Sequence, residues 1–562
     1  MISIKTVLQE ILKHKQVLIF ANFLAIFSTL LSIPVPLLIP LLIDEIILGK
    51  GGWVTETIDG FITISSPEYY ILTVLIITVL LRLFSLIFSI FHIRLFTKIA
   101  KEVTYKIRKQ LLSHLKVVSM SEYDMLGSGA VSSKVITDVD TIDKFISSSV
   151  GEIIVESLTF FGVAIIILYL NWQLALVILI LNPLALGFFL RVFRSVAKIK
   201  KKENKAIEVF QNALTESLEL YNQIRIQNRE GYFLDDIDDK AKHIRDKAYT
   251  FGLKSEVSLK FSQMLIMYSH DIFRSVGILM VLLGTLTIGK MLAIFAYAWV
   301  IMRPMDKMIN FAHLYFNAKA SIERLNEILD LEVEPKYQEK KNPFKGEDTA
   351  SIELRNLSFS YDNHTQVLQD INIKIKKGEK VAIVGETGSG KSTLAQILIG
   401  LYPIHDGQIF YNGVAIEEIG YECVRENVGF VLQSPMMFNN TLRFNLTLGK
   451  EYSDEIIYEV LKSTQLYNFV DKLPEKLDTI VGKNGTKLSG GQKQRLSIAR
   501  VLLDNPKVII FDESTSSLDN ETENKLLEAV GLYSKDKTVI MIAHRKNSIE
   551  KADRVIELKS KR

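Results

Sequence analysis

Nearly all the long apolar runs of this 562-residue chain fall in its first 320 residues, and they constrain its fold more than any other feature. Val17 to Ile47 is the first run, broken by Pro34, Pro36 and Pro40, and Tyr70 to Ile93 is the second, with Arg82 inside it. Ile146 to Leu170, Leu174 to Leu190, Val257 to Leu286 and Met291 to Met302 follow. A helix needs about 20 predominantly apolar residues to cross a bilayer. The first three runs reach that length and the fourth approaches it. The last two have His270, Asp271, Arg274, Arg303 and Asp306 in or beside them. Six such runs argue for a bundle of membrane-spanning helices over buried helices of a soluble protein. Hydrophobic residues make up 48% of the chain and mean hydropathy is +0.20, which excludes disorder. The 67 basic and 63 acidic residues leave a net charge of +4, which argues against a nucleic-acid partner. Cys423 is the only cysteine, so neither an intramolecular disulfide nor a cysteine metal cluster can form.

Basic residues set the orientation. Arg94, Lys98, Lys101, Lys106, Arg108 and Lys109 follow the second run, and Arg191, Arg194, Lys198, Lys200, Lys201, Lys202 and Lys205 follow the fourth. The opposite connections hold almost none: Asn171-Trp172-Gln173 has no basic residue and Leu48 to Tyr69 has only Lys50. The positive-inside rule places the N-terminus and both long polar loops in the cytoplasm, with the chain in the cytoplasmic (inner) membrane. Those loops keep helical apolar spacing, as at Ile107, Leu111, Leu112 and Leu115, so the membrane helices are expected to continue into the cytoplasm. Met1 to Lys15 is amphipathic and suits either the inner leaflet surface or a short solvated helix.

The composition changes at residues 331–350, a polar stretch with Pro335, Pro343 and Gly346 that reads as a linker. From Ser351, strand-like runs alternate with helical ones. Val508-Ile-Ile-Phe has no polar residue, as expected at the centre of a parallel sheet, so the second half is an α/β domain.

That half carries the chemistry. Gly385-Glu386-Thr387-Gly388-Ser389-Gly390-Lys391-Ser392 follows a predicted strand and, from Thr393, opens a predicted helix. Glycines let backbone N–H groups wrap a phosphate, and the helix N-terminus adds a favourable dipole. In such a loop Lys391 reaches the β and γ phosphates of ATP and the Ser392 hydroxyl ligates Mg2+. Asp512 and Glu513 end the apolar strand. Asp512 is placed to hold Mg2+ and Glu513 to polarise the attacking water. Leu488-Ser489-Gly490-Gly491-Gln492 then runs into a helical stretch and supplies a second helix N-terminus built of small residues.

With these motifs together the chain resembles an ATP-binding cassette (ABC) transporter of the exporter type, a half-transporter with six membrane helices fused to a P-loop NTPase domain. The resemblance implies that Ser489, Gly490, Gly491 and Gln492 complete the ATP site of a partner subunit. It implies that Tyr361 stacks on adenine, that Gln433 contacts Mg2+ and the attacking water, that Asp519 belongs to the loop crossing the dimer interface, and that His544 holds the γ-phosphate. It implies coupling helices around Ser121 to Gly127 and Asn228 to Leu234. Lys483 departs from the family pattern, standing where exporters usually carry an acidic residue. The chain also stops soon after Val555-Ile-Glu-Leu, where family cassettes normally continue.

The expected organisation is a transmembrane domain over 1–330, a linker over 331–350 and a nucleotide-binding domain over 351–562. One phosphate loop and one signature per chain call for two chains, a homodimer or a heterodimer with a sister chain. The expected function is ATP-driven export or flipping of a hydrophobic or amphipathic substrate: a lipid, drug or peptide. The alternative is a membrane ATPase that gates a channel or regulates a partner. Arg82, Asp271 and Arg274, ionisable and inside the spans, are the candidates for the substrate cavity, with Asp271 and Arg274 also spaced to pair on one helix face.

Overall fold

The computed structural model describes all residues except 50–51, 61–65, 362–365, 405, 513–527, 529–534, 544–548 and 560–562. The chain forms two compact units, one from Met1–Leu112 with Ser132–Leu329, the other from Ser113–Val131 with Asp330–Arg562.

The first unit is helical. It opens with α1 (Ile4–Lys13), started by Ser3 in a reciprocal cap: Thr6 N donates to Ser3 Oγ at 3.1 Å and Ser3 N donates to Thr6 Oγ1 at 2.8 Å. Its apolar face is covered by protein, with Val7 and Ile11 buried. Asn326 fixes its start by bonding both Ile2 N and Ile2 O at 2.7 Å, and Lys106 pairs with Glu10 at 2.8 Å. The first apolar run becomes α2 (Lys15–Ser32) and, beyond Pro34, a further helix Val35–Leu42. Proline lacks an N–H and clashes with the preceding turn, which explains the break.

The later helices include α3 (Pro67–Leu115), which starts on a proline as helix N-termini favour, then α4 (Met120–Leu126), α5 (Gly151–Leu170), α6 (Trp172–Glu219), α7 (Glu230–Leu282), α8 (Ile288–Val300) and α9 (Met302–Leu329). Between α5 and α6 only Asn171 intervenes, its side chain capping α6 by accepting from Leu174 N at 2.8 Å. At about 1.5 Å per residue, α3, α6 and α7 run roughly 70–80 Å, more than twice a bilayer core of about 30 Å. They therefore extend well past the membrane, as the helical spacing of the polar loops implies.

Four segments among the described residues are long and apolar enough to span: Lys15–Ile47, Pro67–Leu115, Ser128–Leu170 and Glu230–Leu282. The expected fourth run lies on α6, and the sixth lies on α8, whose 13 residues cover only about 20 Å before the bend at Ile301. Only 11% of the apolar window of α3 is buried, and Leu72, Leu75, Ile76, Leu83 and Ile90 face outward, as suits a helix solvated by lipid. The interior of the unit is a cluster around Ile167, Leu174, Phe273, Ile294 and Tyr297, with Tyr297 donating to Ile33 O at 2.6 Å.

The second unit holds two sheets. Strands β1 (Ile352–Ser360), β2 (Gln366–Ile375), β4 (Asp406–Tyr411) and β5 (Val414–Ala415) form an antiparallel sheet in the order β2-β1-β4-β5. Strands β3 (Lys380–Val384), β6 (Val428–Val431), β7 (Val508–Asp512), β8 (Thr538–Ile542) and β9 (Arg554–Glu557) form a parallel sheet ordered β6-β7-β8-β3-β9. All five residues of β7 and of β8 are buried, and in each strand four of the five are apolar, the exceptions being the end residues Asp512 and Thr538. Helices α10 (Lys391–Leu398) and α11 (Gly490–Leu503) complete the parts needed for the site.

Two stretches near the domain boundaries are held by the cassette unit. The tip Ser113–Val131, part of the expected membrane domain, belongs to the cassette unit: Val118 pairs with Val333 in an antiparallel bridge and Met120 packs on the cassette core. The expected linker lies against the same unit. Phe344 and Ala350 are buried in its core, and Lys340 N and Lys341 N both donate to Glu418 O. Its apolar residues find cover there that a free linker would lack.

Candidate functional site

The parallel register brings the candidate residues to one edge. Val431 pairs with Phe511, Asp512 with Ile542, and Ile542 with Ile383, so the carboxyl ends of β6, β7, β8 and β3 are level. Ligands of open α/β sheets bind beyond such ends. Gln433 follows β6, Asp512 ends β7, and the phosphate loop follows β3.

The loop has a tight geometry. Gly388 and Gly390 have φ of +84° and +86°, a region open to glycine and strained for other residues. A Cβ on Gly385 would stand 2.4 Å from Leu558 O and 2.8 Å from Ser389 Oγ, so only glycine fits. Lys391 is buried, its Nζ donating to Gly385 O at 3.0 Å and Glu386 O at 2.8 Å, which folds the ammonium group against the loop's carbonyls. Ser389 is buried and its hydroxyl has no hydrogen-bond partner among the described residues, leaving an orphaned polar atom inside the loop. Thr387, Gly388, Gly390, Lys391, Ser392, Thr393 and Gln433 line one cavity of about 620 Å³, a size that suits a nucleotide's phosphates.

The Ser392 hydroxyl donates to Asp512 Oδ1 at 3.0 Å, joining residues 120 apart in sequence, and Asp512 is buried. A hydroxyl and a carboxylate converging on a phosphate loop are hard oxygen donors that fit Mg2+. Tyr361 is half exposed. Its hydroxyl lies 2.9 Å from Thr393 Oγ1, and its ring is held edge-on by Phe359 and Tyr402, with centroids 5.0 Å and 5.2 Å away.

The signature segment stands at its own helix start. Ser489 caps α11, accepting from Gln492 N at 3.2 Å while Gln492 Oε1 accepts from Ser489 N at 2.8 Å. Gly490 and Gly491 occupy the first turn, where backbone N–H groups have no intrahelical acceptor. Glu513, Asp519 and His544 lie outside the described residues.

In the helical unit a cavity of about 760 Å³ is lined by Arg82, Glu156 and Arg303 and by the hydroxyls of Ser28, Ser85 and Thr159. Apolar wall is added by Ile33, Leu86, Val155 and Trp299. Glu156 is buried and pairs with Arg303 at 3.3 Å. Arg82 thus lines the cavity, whereas Asp271 and Arg274 lie on α7 among residues outside its lining. Sequence reasoning passed over Glu156, although a carboxylate inside the run Ile146 to Leu170 is a signal in itself.

Comparison with known proteins finds relatives for both halves of the chain. The family model described as ABC transporter transmembrane region matches residues 18–305, and the one described as ABC transporter matches residues 368–516. The putative multidrug export ATP-binding/permease protein YgaD of Bacillus subtilis (strain 168) is 30% identical over 571 residues, spanning 99% of this chain and 94% of its own. The ATP-dependent lipid A-core flippase of Francisella tularensis subsp. holarctica (strain LVS) is 30% identical over 82% of this chain and 76% of its own. A bacterial Atm1-family ABC exporter solved with ATP bound shares the fold, with a TM-score of 0.77, 22% identity, and coverage of 96% of this chain and 93% of that one. A multi-pass helical region fused to a nucleotide-binding ATPase, matched by both family models, identifies the chain as a member of the ABC transporter family, an ATP-driven exporter.

Proposed function

We propose that this exporter moves a hydrophobic or amphipathic substrate, such as a lipid, drug or peptide, from the inner side of the cytoplasmic membrane, working as a homodimer. The observation that carries the reading is the joining of two chemistries in one chain: a phosphate loop whose Ser392 meets Asp512, and a membrane-domain cavity lined by both charged and apolar side chains. An amphipath suits that cavity because Arg82 and the Glu156–Arg303 pair can hold a polar head while Ile33, Leu86 and Trp299 cover a chain or ring.

In the cassette, the backbone N–H groups of the loop and Lys391 hold the β and γ phosphates of ATP, and Tyr361 stacks on the base. Ser392, Asp512 and Gln433 would hold Mg2+. Bound there, Mg2+ supplies charge neutralisation at the phosphate oxygens. Glu513 orients and polarises the attacking water, and His544 steadies the γ-phosphate. Ser489, Gly490, Gly491 and Gln492 of one copy, with Asp519, close the site of the other. Closure on two nucleotides turns the cavity outward, and hydrolysis resets it.

The test uses the full chain in nanodiscs. Glu513→Gln should bind ATP normally and turn over at least a hundredfold more slowly, and wild-type turnover would remove Glu513 from catalysis. Substrate-stimulated ATPase across lipids, drugs and peptides, followed by ATP-dependent movement of the hits in vesicles, identifies the cargo. Rapid hydrolysis with no solute movement would favour a gating or regulatory ATPase. A single-chain particle by mass would overturn the homodimer.

A further inference from the structure

The candidate adenine platform and α4 touch the same side chain. Tyr402 is buried, and its ring meets Tyr361 edge-on, with centroids 5.2 Å apart at 90°, and Phe359 at 5.9 Å. Its hydroxyl donates to Asp124 Oδ2 at 2.8 Å. Asp124 is an exposed residue of α4, so a hydrogen bond to an ionised acceptor ties a packed aromatic cluster to an otherwise accessible helix. Burial, reinforced by the Asp124 carboxylate, pushes the Tyr402 phenol above its ordinary range, so it remains a donor at any working pH.

A second connection ends at the same turn. Ser119 N donates to Glu332 O at 2.9 Å and Glu334 N to Val117 O at 2.8 Å, joining residues 117–119, just before α4, to residues 332–334. Arg425 donates both to Glu334 and, at 2.6 Å, to Gly400 O. Gly400 and Tyr402 follow directly on α10, whose first residue is Lys391. The turn therefore lies at the far end of the phosphate-loop helix, beside the aromatic platform, and holds α4 by two routes. Close-packed interiors transmit small displacements rather than absorbing them.

We propose that Tyr402 is a positioning residue that couples occupancy of the Tyr361 platform to the position of α4 through its bond to Asp124. The proposal rests on the alternating-access reading above. Base stacking fixes the Tyr361 ring, the perpendicular contact fixes Tyr402, and the hydroxyl sets α4.

The experiment uses the full chain in nanodiscs, with Cys423→Ser as background and, as a reporter, Ser89→Cys at a residue that lines the cavity around Arg82. The measured quantities are trapping of radiolabelled nucleotide by ATP with vanadate, and the rate of labelling by fluorescein maleimide before and after trapping. Without further changes, trapping should change the labelling rate, and no change there would overturn alternating access itself. Tyr402→Phe, which keeps the ring and removes the hydroxyl, should trap the same amount of nucleotide while the rate change falls at least threefold. Asp124→Ala should match it from the exposed side, the double variant should add nothing, and Asp124→Asn, still an acceptor, should restore most of the response. An undiminished rate change in both Tyr402→Phe and Asp124→Ala would overturn the proposal. So would loss of trapping in step with loss of response, since the bond would then serve only the nucleotide site.

Discussion

At the residue scale, the site depends on a few atoms whose partners are far off in sequence. Asp512→Asn keeps the shape of the pair with Ser392 but removes the charge that suits a divalent cation. The expected outcome is a rise of at least tenfold in the Mg2+ concentration needed for half-maximal ATPase, read by titration of the purified chain. Cys423 tests burial instead. Burial, reinforced by the carboxylates of Glu339 and Glu426, pushes its thiol from an ordinary 9.0 up to about 11. A raised folded pKa means that the folded state holds its proton longer, so the stability linked to this group is complete below about pH 9 and is lost as pH climbs toward 11. The thermal midpoint of the wild-type chain should therefore fall more steeply than that of Cys423→Ser across this window. A parallel fall in both would show that the thiol does not contribute. Gly385, Lys391, Ser392 and Asp512 were legible from motif spacing because phosphate chemistry demands those residue types in order. Tyr402, Asp124 and Glu156 were not, since their significance lies in neighbours 41, 278 and 147 positions away.

At the element scale, most helices and strands follow from period and punctuation. The capping pairs at Ser3 and Ser489, the proline start of α3 and the apolar run of β7 are all local signals. The phosphate loop is an element held by sterics, and Gly385→Ala tests this. With Leu558 O only 2.4 Å from the new Cβ, the loop must move away from β9, so nucleotide affinity should drop at least tenfold, measured by equilibrium binding. Unchanged affinity would show that the loop relaxes at no cost. The sequence left α1 open between a membrane surface and solvent. The structure instead covers Val7 and Ile11 and ties Ile2 to Asn326, because its apolar stripe meets a matching surface on helices distant in the chain. The same holds for residues 331–350, whose polar composition conceals Phe344 and Ala350 in the cassette core.

At the scale of the whole molecule, the chain unites a lipid-solvated helical unit with an ATPase. If the cavity around Arg82 and Glu156 holds the polar head of the cargo, Arg82→Ala should raise the substrate concentration for half-maximal ATPase stimulation about tenfold, a loss of about 1.4 kcal/mol. The check is a stimulation curve with the first substrate identified, and an unshifted curve would move the binding site elsewhere. The sequence by itself determined the class of each half and the order of the phosphate-site motifs. These depend on local quantities: hydropathy over about 20 residues and residue types at short fixed spacings. Only the tertiary structure decided that Ser113–Val131 belongs with the cassette, that Ser392 meets Asp512, and that Glu156 and Arg303 rather than Asp271 and Arg274 share a cavity with Arg82. Those outcomes depend on which surfaces meet after the chain has folded back on itself, and spacing along the chain does not encode that.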